Sequence, residues 1–76
     1  MQVAADFQPA ATSGMHTHPG EELGYVLEGT LRLDRVGQAP VTLKAGDYFM
    51  VPMGKVHGAT NVGPGNAKVL ATEADG

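Results

Sequence analysis

The sequence predicts an all-β fold, a small antiparallel sandwich or barrel, and its turn-forming residues carry that prediction. Eleven Gly and five Pro residues are spread along the whole of the 76-residue chain. Gly costs about 1 kcal/mol and Pro about 3 kcal/mol inside a helix, so long internal helices are disfavoured. The segments between them are short and apolar or alternating, which is typical of strands joined by turns. We expect a single domain over residues 1–76, with a small core.

Three short segments in the first part of the chain are predicted to be extended. Each is rich in apolar or β-branched side chains or in residues that flank turns, and each is followed closely by Pro or Gly. The segments are 2–8, 15–18 and 22–27, and the residues that end them are Pro9, then Pro19 with Gly20, then Gly29.

The middle of the chain predicts a hairpin and one further strand. Residues 31–35 alternate apolar and polar side chains, as a half-buried strand does. The turn at 37–40 returns the chain into a strand over 41–44, which completes a hairpin. After the turn at 45–47, the apolar run 48–51 forms the next strand and is broken by Pro52.

Two more segments close the chain. Residues 56–62 resume the extended conformation after the break at residues 52–54, and they end at the turn 63–66. Residues 67–72 are predicted to be the final strand, although their Ala, Lys and Leu also suit a short helix and that alternative stays open. Seven or eight short strands of this kind indicate an antiparallel sandwich or small barrel.

Composition excludes several functions. The net charge of −3 and five scattered Lys and Arg residues argue against nucleic-acid binding. No apolar stretch is long enough to span a bilayer, and the start of the chain has no secretory signal, so we expect no membrane association. The absence of Cys rules out disulfides and thiolate ligands, and the cytoplasm is the expected compartment. A domain this small usually needs a metal or a partner subunit.

The three histidines are the most informative polar residues. His16 and His18 are separated by one residue, which on an extended segment places both side chains on one face. Pro19 and Gly20 then turn the chain, so that a carboxylate from the next strand can complete three sides of a site. His57 lies about forty residues further on, and only folding can bring it to the same place.

These residues resemble the two sequence motifs of the cupin family of small β-barrel proteins. The first motif has two histidines separated by one residue, then Glu after three residues and Gly after six more, and the chain matches it with Glu22 rather than Glu21. The residues that match the first motif are His16, His18, Glu22 and Gly29. The residues that match the second motif are Gly46, Pro52, Gly54, His57 and Asn61.

The resemblance extends from Phe7 to about Thr72, with two departures. Ala10 stands six positions before His16, where the family usually has a Gly that shapes a strand entry and does not bind metal. Family members also usually carry additional strands or a helix at their ends. The resemblance therefore implies a near-minimal barrel of the jelly-roll, or double-stranded β-helix, type. We expect Asn61 to bond backbone groups and fix a loop rather than to contact substrate.

Carried over residue by residue, the resemblance implies that His16, His18, Glu22 and His57 bind one divalent transition metal ion per chain. Three imidazoles with one carboxylate suit Zn, Fe, Ni, Mn or Co, whereas Ca and Mg prefer oxygen ligands. A six-coordinate ion would keep two positions open for water or substrate. The alternatives are that the histidines are ordinary exposed residues of a turn-rich region and that Glu22 is a solvated strand residue; the complete motifs favour the metal site.

The strand that carries Glu22 also predicts an interface. If Glu22 faces inward, the alternation of side chains leaves Leu23, Tyr25 and Leu27 facing outward as an apolar row. Such a row is a liability on a free surface. We therefore predict a homodimer, with Tyr25 in or near the contact.

Around the metal we expect a largely apolar pocket. No Arg has an evident inward position, so a small neutral or chelating organic ligand fits better than a phosphorylated one. The inward or outward direction of each residue in 48–51 stays open, because the turn at Pro52 can introduce a bulge. The candidate lining residues are Val26, Leu33, Tyr48, Phe49, Met50, Val51 and Ala59.

The leading functional hypothesis is a metal-dependent enzyme of the dioxygenase type, an oxidoreductase, or of the isomerase or decarboxylase type. The metal would act as a Lewis acid on a small chelating substrate. A general base is not evident, and Glu21 and Tyr48 are the nearest candidates. Two alternatives remain, a non-catalytic module that binds or senses a metal-bound ligand and a barrel whose metal is purely structural.

Overall fold

A computed structural model describes residues 1–74 as an all-β fold. Within those residues there is no helix of the length and apolar character needed to cross a membrane. Asp75 and Gly76, which end the predicted domain, lie outside the described residues. The strands are β1 (Gln2–Phe7), β2 (Glu22–Glu28), β3 (Thr30–Arg35), β4 (Val41–Lys44), β5 (Tyr48–Val51), β6 (His57–Asn61) and β7 (Ala67–Glu73).

The strands form two antiparallel sheets, as the sequence predicts. One sheet has the order β1-β7-β2-β5 and the other has the order β4-β3-β6. β3 and β4 form the predicted hairpin, in which Leu31 lies opposite Leu43. Among the strands of residues 1–74, only β3 and β4 are paired and also follow one another in the chain, so most pairings are long-range. The ends of the chain thus meet in one sheet, where β7 lies between β1 and β2.

The last strand settles the alternative between strand and helix at 67–72. β7 pairs with β1 along its length, with Ala67 opposite Phe7 and Thr72 opposite Gln2. It also pairs with β2 on its other side. Ala67 and Val69 are buried one strand period apart, so the segment places an apolar side on the core. Tertiary pairing on both sides outweighs the local helix propensity of its Ala and Leu residues.

The core lies between the two sheets and receives side chains from both. β2 alternates as predicted, with Glu22, Gly24 and Val26 buried and the residues between them exposed. Phe7 and Phe49 pack against the edge of the core. The buried cluster consists of Val26, Leu31, Leu33, Leu43, Ala67 and Val69.

The direction of the β5 side chains is fixed by its pairing with β2. Phe49 lies opposite Gly24, and its ring fills the space that a Cβ at Gly24 would occupy. Phe49 therefore faces the interior together with the buried Val51. Tyr48 and Met50 face outward, with Tyr48 76% exposed. These two residues were candidates for the pocket lining, and the structure corrects that prediction because the register of the pair leaves them no inward position.

Residues 15–18 do not form a strand. Their segment runs along β6 through two isolated bridges, one between Thr12 and Thr60 and one between His16 and His57. β6 itself is shorter than the predicted 56–62 and spans His57–Asn61. The turns around Pro9, Pro19 and Gly20 interrupt regular pairing, so the segment contributes single bridges rather than a continuous ladder.

Asn61, at the opposite end of β6 from His57, fixes the neighbouring loops. Its buried side chain donates from Nδ2 to the carbonyl oxygens of Phe7, at 3.0 Å, and Gly65, at 2.8 Å. Its Oδ1 accepts a hydrogen bond from the Gly63 amide at 3.0 Å. The expectation that Asn61 bonds backbone groups is confirmed, and one side chain thereby joins the end of β1 to the turn before β7.

Ala10 adopts a left-handed backbone conformation, with φ of 68°, and is the one residue other than Gly with a positive φ in the described part of the chain. Its amide donates to the Asn61 carbonyl oxygen at 3.2 Å, so the conformation belongs to the turn that leaves β1. An L-residue with a Cβ pays about 1–2 kcal/mol for this conformation. Ala10, at a position where the motif usually has Gly, therefore introduces local backbone strain.

We expect Ala10→Gly to stabilise the domain by about 0.5–1 kcal/mol, because relief of the strain exceeds the entropy that Gly adds to the unfolded chain. Urea unfolding of the metal-free protein measures the change. Ala11→Gly is the matched control, since Ala11 has no positive φ and should lose stability. A loss of stability in Ala10→Gly equal to that in Ala11→Gly would contradict the strain.

Candidate metal centre

Folding brings the three histidines of the chain to one end of the interior. The ring centroids of His16 and His57 are 4.5 Å apart, those of His16 and His18 are 4.8 Å apart, and those of His18 and His57 are 5.3 Å apart. The His16 amide donates to the His57 carbonyl at 2.8 Å, and the His57 amide donates back to His16 at 2.9 Å. This backbone exchange closes the gap of about forty residues that separates them in the sequence.

The segment that carries His16 lies very close to β6, which allows the two backbone hydrogen bonds between His16 and His57 to form. Gly58 follows His57 on β6, and a Cβ added there would lie 2.7 Å from the carbonyl oxygen of Gly14. A larger residue at 58 would push the segment that carries His16 away from β6. The second histidine of the pair is held from another direction, because the Gly54 amide donates to the His18 carbonyl oxygen at 3.0 Å.

Backbone carbonyls fix the tautomers of two of the imidazoles. His57 Nδ1 lies 2.8 Å from the Lys55 carbonyl oxygen, and His16 Nδ1 lies 2.9 Å from that of Gly14. A carbonyl oxygen only accepts, so in each ring Nδ1 carries the hydrogen and donates. In the neutral ring Nε2 is then left with its lone pair, which is how a metal-binding histidine is usually oriented.

Glu22 faces these nitrogens from β2, as its predicted inward direction requires. Its Oε2 lies 3.2 Å from His57 Nε2, and its Oε1 lies 3.6 Å from His18 Nε2. Both nitrogens are buried and have no hydrogen-bond partner. A neutral His57 thus directs a lone pair at a carboxylate oxygen, an arrangement that a cation between the two atoms would stabilise.

The distances fit a shared ion. Two donors bound at about 2.0–2.2 Å are about 3.0 Å apart at right angles and about 3.4 Å apart in a tetrahedral arrangement. The contacts from Glu22 to His57 and His18 lie close to this span. The three histidines offer ligand atoms that all lie within 4.8 Å of one another. The residues present therefore fit a transition metal, and His16, His18, Glu22 and His57 could hold it.

The structure adds a carboxylate that the motifs do not contain. Glu73, at the end of β7, lies directly opposite Glu22 in the sheet. Its Oε1 is 3.4 Å from His18 Nε2. Residue 73 lies outside both motifs, which is why sequence reasoning missed it. The alternation of Ala67, Val69, Ala71 and Glu73 along the final strand is the signal that could have found it.

The site opens into an apolar cavity of about 190 Å³ between the sheets. Of the predicted lining residues, Leu33, Phe49 and Ala59 are confirmed, whereas Val26 and Val51 are buried beside the cavity and do not line it. Among the described residues no Lys or Arg lines the cavity. Its remaining walls are Val3, Ala5, Phe7, Ser13, Val69 and Ala71, with the three histidines, Glu22 and Glu73 at one end.

The two candidates for a general base lie elsewhere. Tyr48 is on the outer face of its sheet, opposite Tyr25 on β2. Glu21 is exposed, and as the neighbour of the buried Glu22 it does not line the cavity. The structure brings neither residue to the histidines, because each sits one position from an inward-facing residue.

Plant germin-like proteins are similar to this chain in sequence. Germin-like protein 1-1 of Oryza sativa subsp. japonica is 38% identical over 71 residues, which cover 87% of this chain and 33% of that protein. Germin-like protein subfamily 2 member 1 of Arabidopsis thaliana is 39% identical over 71 residues, covering 87% of this chain and 32% of that protein. The chain thus spans about a third of the length of the curated relatives it matches.

Among solved structures, oxalate oxidase in complex with the substrate analogue glycolate superposes with a TM-score of 0.87 at 29% identity, covering 92% of this chain and 39% of that chain. A predicted oxalate decarboxylase from Thermotoga maritima superposes with a TM-score of 0.87 at 30% identity, covering 96% of this chain and 64% of that chain. The family described as the cupin domain matches residues 4–73. The fold, the histidine and glutamate cluster and this match together show that the chain belongs to the cupin domain family.

Proposed function

We propose that the chain is a metal-dependent domain that binds and converts a small chelating organic molecule. The observation that carries the proposal is the approach to the Glu22 carboxylate of two buried Nε2 atoms that have no hydrogen-bond partner, those of His18 and His57. We propose His16, His18, Glu22 and His57 as ligands of one divalent ion of Zn, Fe, Ni, Mn or Co. Polar groups lie at one end of an otherwise apolar cavity, so the ion would be the feature that orients a ligand.

The cavity walls support the class of substrate. A bound divalent ion would supply Lewis-acid polarisation of a carboxylate or enolate oxygen. The apolar walls formed by Phe7, Phe49 and Val69 exclude water from the rest of the ligand. Without a Lys or Arg in the described lining, no side chain pairs with a phosphate group. A volume of about 190 Å³ suits a molecule of a few carbon atoms.

The relatives support a reaction of the oxidase or decarboxylase kind. The solved neighbours include an oxalate oxidase with a bound substrate analogue and a predicted oxalate decarboxylase, both named for a small acid. We propose the same broad class of substrate, a small acid able to chelate a metal through oxygen. The general base would come from the site itself, since Tyr48 and Glu21 lie outside the cavity.

A purely structural metal is the second candidate function. The core is small, and the proposed ligands come from the segment before β2, from β2 and from β6. An ion that joins three such segments would contribute its binding free energy to folding.

Glu22→Gln should abolish stoichiometric metal binding, because it removes the buried carboxylate that the imidazoles face. Elemental analysis of purified protein and titration with Co²⁺ or Zn²⁺ measure the loss. Glu21→Gln is the matched control, since it makes the same charge change on the exposed neighbouring residue and should leave binding intact. Full metal occupancy in both Glu22→Gln and His16→Ala would contradict the ligand assignment.

A chelator should lower the melting temperature of the protein while the domain stays folded at 25 °C. The core cluster consists of apolar side chains and contains no proposed ligand, whereas the segment that carries His16 and His18 is held by isolated bridges and single hydrogen bonds. Far-UV circular dichroism and a thermal melt, with and without the chelator, measure this. Complete unfolding at 25 °C would favour the structural metal over a catalytic one.

We further propose that the outer face of β2 and β5 is a homodimer contact. Leu23, Tyr25 and Leu27 are 43–50% exposed, so the predicted outward row is present. Tyr48 and Met50 extend it on β5, where Tyr48 lies opposite Tyr25. The five side chains carry no charge, and an apolar surface of this kind is best covered by the same surface of a second copy.

Leu27→Asp should convert the dimer to monomer, because it would bury a carboxylate without a partner at the contact. Size-exclusion chromatography with light scattering measures the mass. Val36→Asp is the control, since Val36 is equally exposed but lies in the turn after β3. A Leu27→Asp protein that stays dimeric would exclude this face as the interface.

A further inference from the structure

We propose that Glu73 is a fifth protein ligand of the metal, so that the centre holds two carboxylates and three imidazoles. The inference rests on the proposed metal site and concerns a residue outside the four that the sequence motifs supply. It follows from the position of Glu73 in the sheet, from its distance to His18 and from the charge balance of the site.

The sheet directs Glu73 into the site. β2 and β7 are antiparallel neighbours, and Glu22 and Glu73 lie directly opposite each other in their register. Directly opposed residues project to the same face, and the Glu22 face is the interior. The Glu73 side chain is 22% exposed, and its Oε1 lies 3.4 Å from His18 Nε2. That separation lies between the spans of about 3.0 Å for donors at right angles and about 4.2 Å for opposite donors on one ion, so both atoms can reach the same ion.

Charge balance shows why a cation belongs between the two carboxylates. Like charges directly opposite in a β-ladder repel each other, and partial burial strengthens that repulsion. Among the described residues, no Lys or Arg lines the cavity that Glu22 and Glu73 share. The groups that face the pair are imidazoles, and His18, Glu22 and Glu73 offer ligand atoms within 4.8 Å of one another.

A second observation points independently to a bound ion. The His57 side chain is 4% exposed, and its buried Nε2 lies 3.2 Å from Glu22 Oε2 without a hydrogen-bond partner. Because His57 Nδ1 donates to the Lys55 carbonyl, the neutral ring has only a lone pair to present there. A neutral His57 and the Glu22 carboxylate thus both favour a cation between them, and Glu73 approaches the same carboxylate's other neighbour, His18.

The fifth ligand changes what the centre can bind. Two carboxylates neutralise the charge of a divalent ion, and a six-coordinate ion with five protein ligands keeps one open position. A substrate would then enter through one oxygen, or would displace Glu73 to bind through two. The additional oxygen donor also favours Mn²⁺ or Fe²⁺ over softer ions, in line with the ligand preferences of these metals.

Water-proton relaxation of the Mn²⁺-loaded protein tests the assignment, since the relaxivity per bound Mn²⁺ scales with the number of water molecules on the ion. Glu73→Gln should about double the inner-sphere relaxivity, as one bound water becomes two, and should weaken Mn²⁺ binding by about tenfold or more. Glu73→Ala should give the same result if the shorter side chain is tolerated. Glu28→Gln is the matched control, an exposed glutamate on β2 whose change should leave both quantities at the wild-type value.

An unchanged relaxivity per bound Mn²⁺ in Glu73→Gln overturns the inference, whether or not the affinity falls, because a weaker affinity alone would place Glu73 outside the coordination sphere. Failure of the underlying proposal looks different. In that case the wild-type protein would show no saturable Mn²⁺ binding, and Glu22→Gln would behave like the wild type.

Discussion

Two hydrogen bonds from imidazole nitrogens to backbone carbonyl oxygens orient the rings of the candidate metal centre, and the rest of the site depends on that orientation. The carbonyl oxygens of Gly14 and Lys55 accept hydrogen bonds from Nδ1 of His16 and His57, and so each ring in its neutral form carries its lone pair on Nε2. Both carbonyls belong to residues two positions before the histidine they orient, so the orientation is local to each segment. The long-range contact between these two segments is the pair of backbone hydrogen bonds between His16 and His57, which brings the two rings close together.

Spacing along the chain and the motif resemblance singled out the histidines and Glu22, whereas side-chain directions that depend on strand register were not predictable. The inward direction of Gly24 and Val26 follows from that of Glu22 by the period of two along β2. The directions of Tyr48 and Phe49 follow instead from the register of β5 against β2, in which Phe49 meets Gly24. Glu73 belongs to the same class, because it reaches the site only through pairing between distant parts of the chain.

Part of the candidate metal centre lies on irregular backbone rather than on a regular strand. The segment before β2 carries two of the histidines, yet it is held by isolated bridges and by the amide of Gly54 rather than by a ladder. Holding such a segment costs conformational entropy, at about 1–2 kcal/mol per ordered residue. Buried polar atoms that lack partners add to that cost. Both unfavourable free-energy contributions arise at the candidate metal centre. An ion bound there would therefore offset part of the free energy needed to order the segment before β2.

The distribution of charge then limits which molecules the cavity accepts. Its apolar walls cannot pair with an anion, so any negative charge of a ligand must be balanced at the histidine end. Arg32 alternates on β3 with the buried Leu31 and Leu33, does not line the cavity, and is paired with Asp34 at 3.1 Å. A phosphate group would find no Lys or Arg in the described lining with which to pair. The proposed small acid would place an oxygen at the histidine end and its carbon skeleton against Phe49 and Val69, which would match both ends of the cavity.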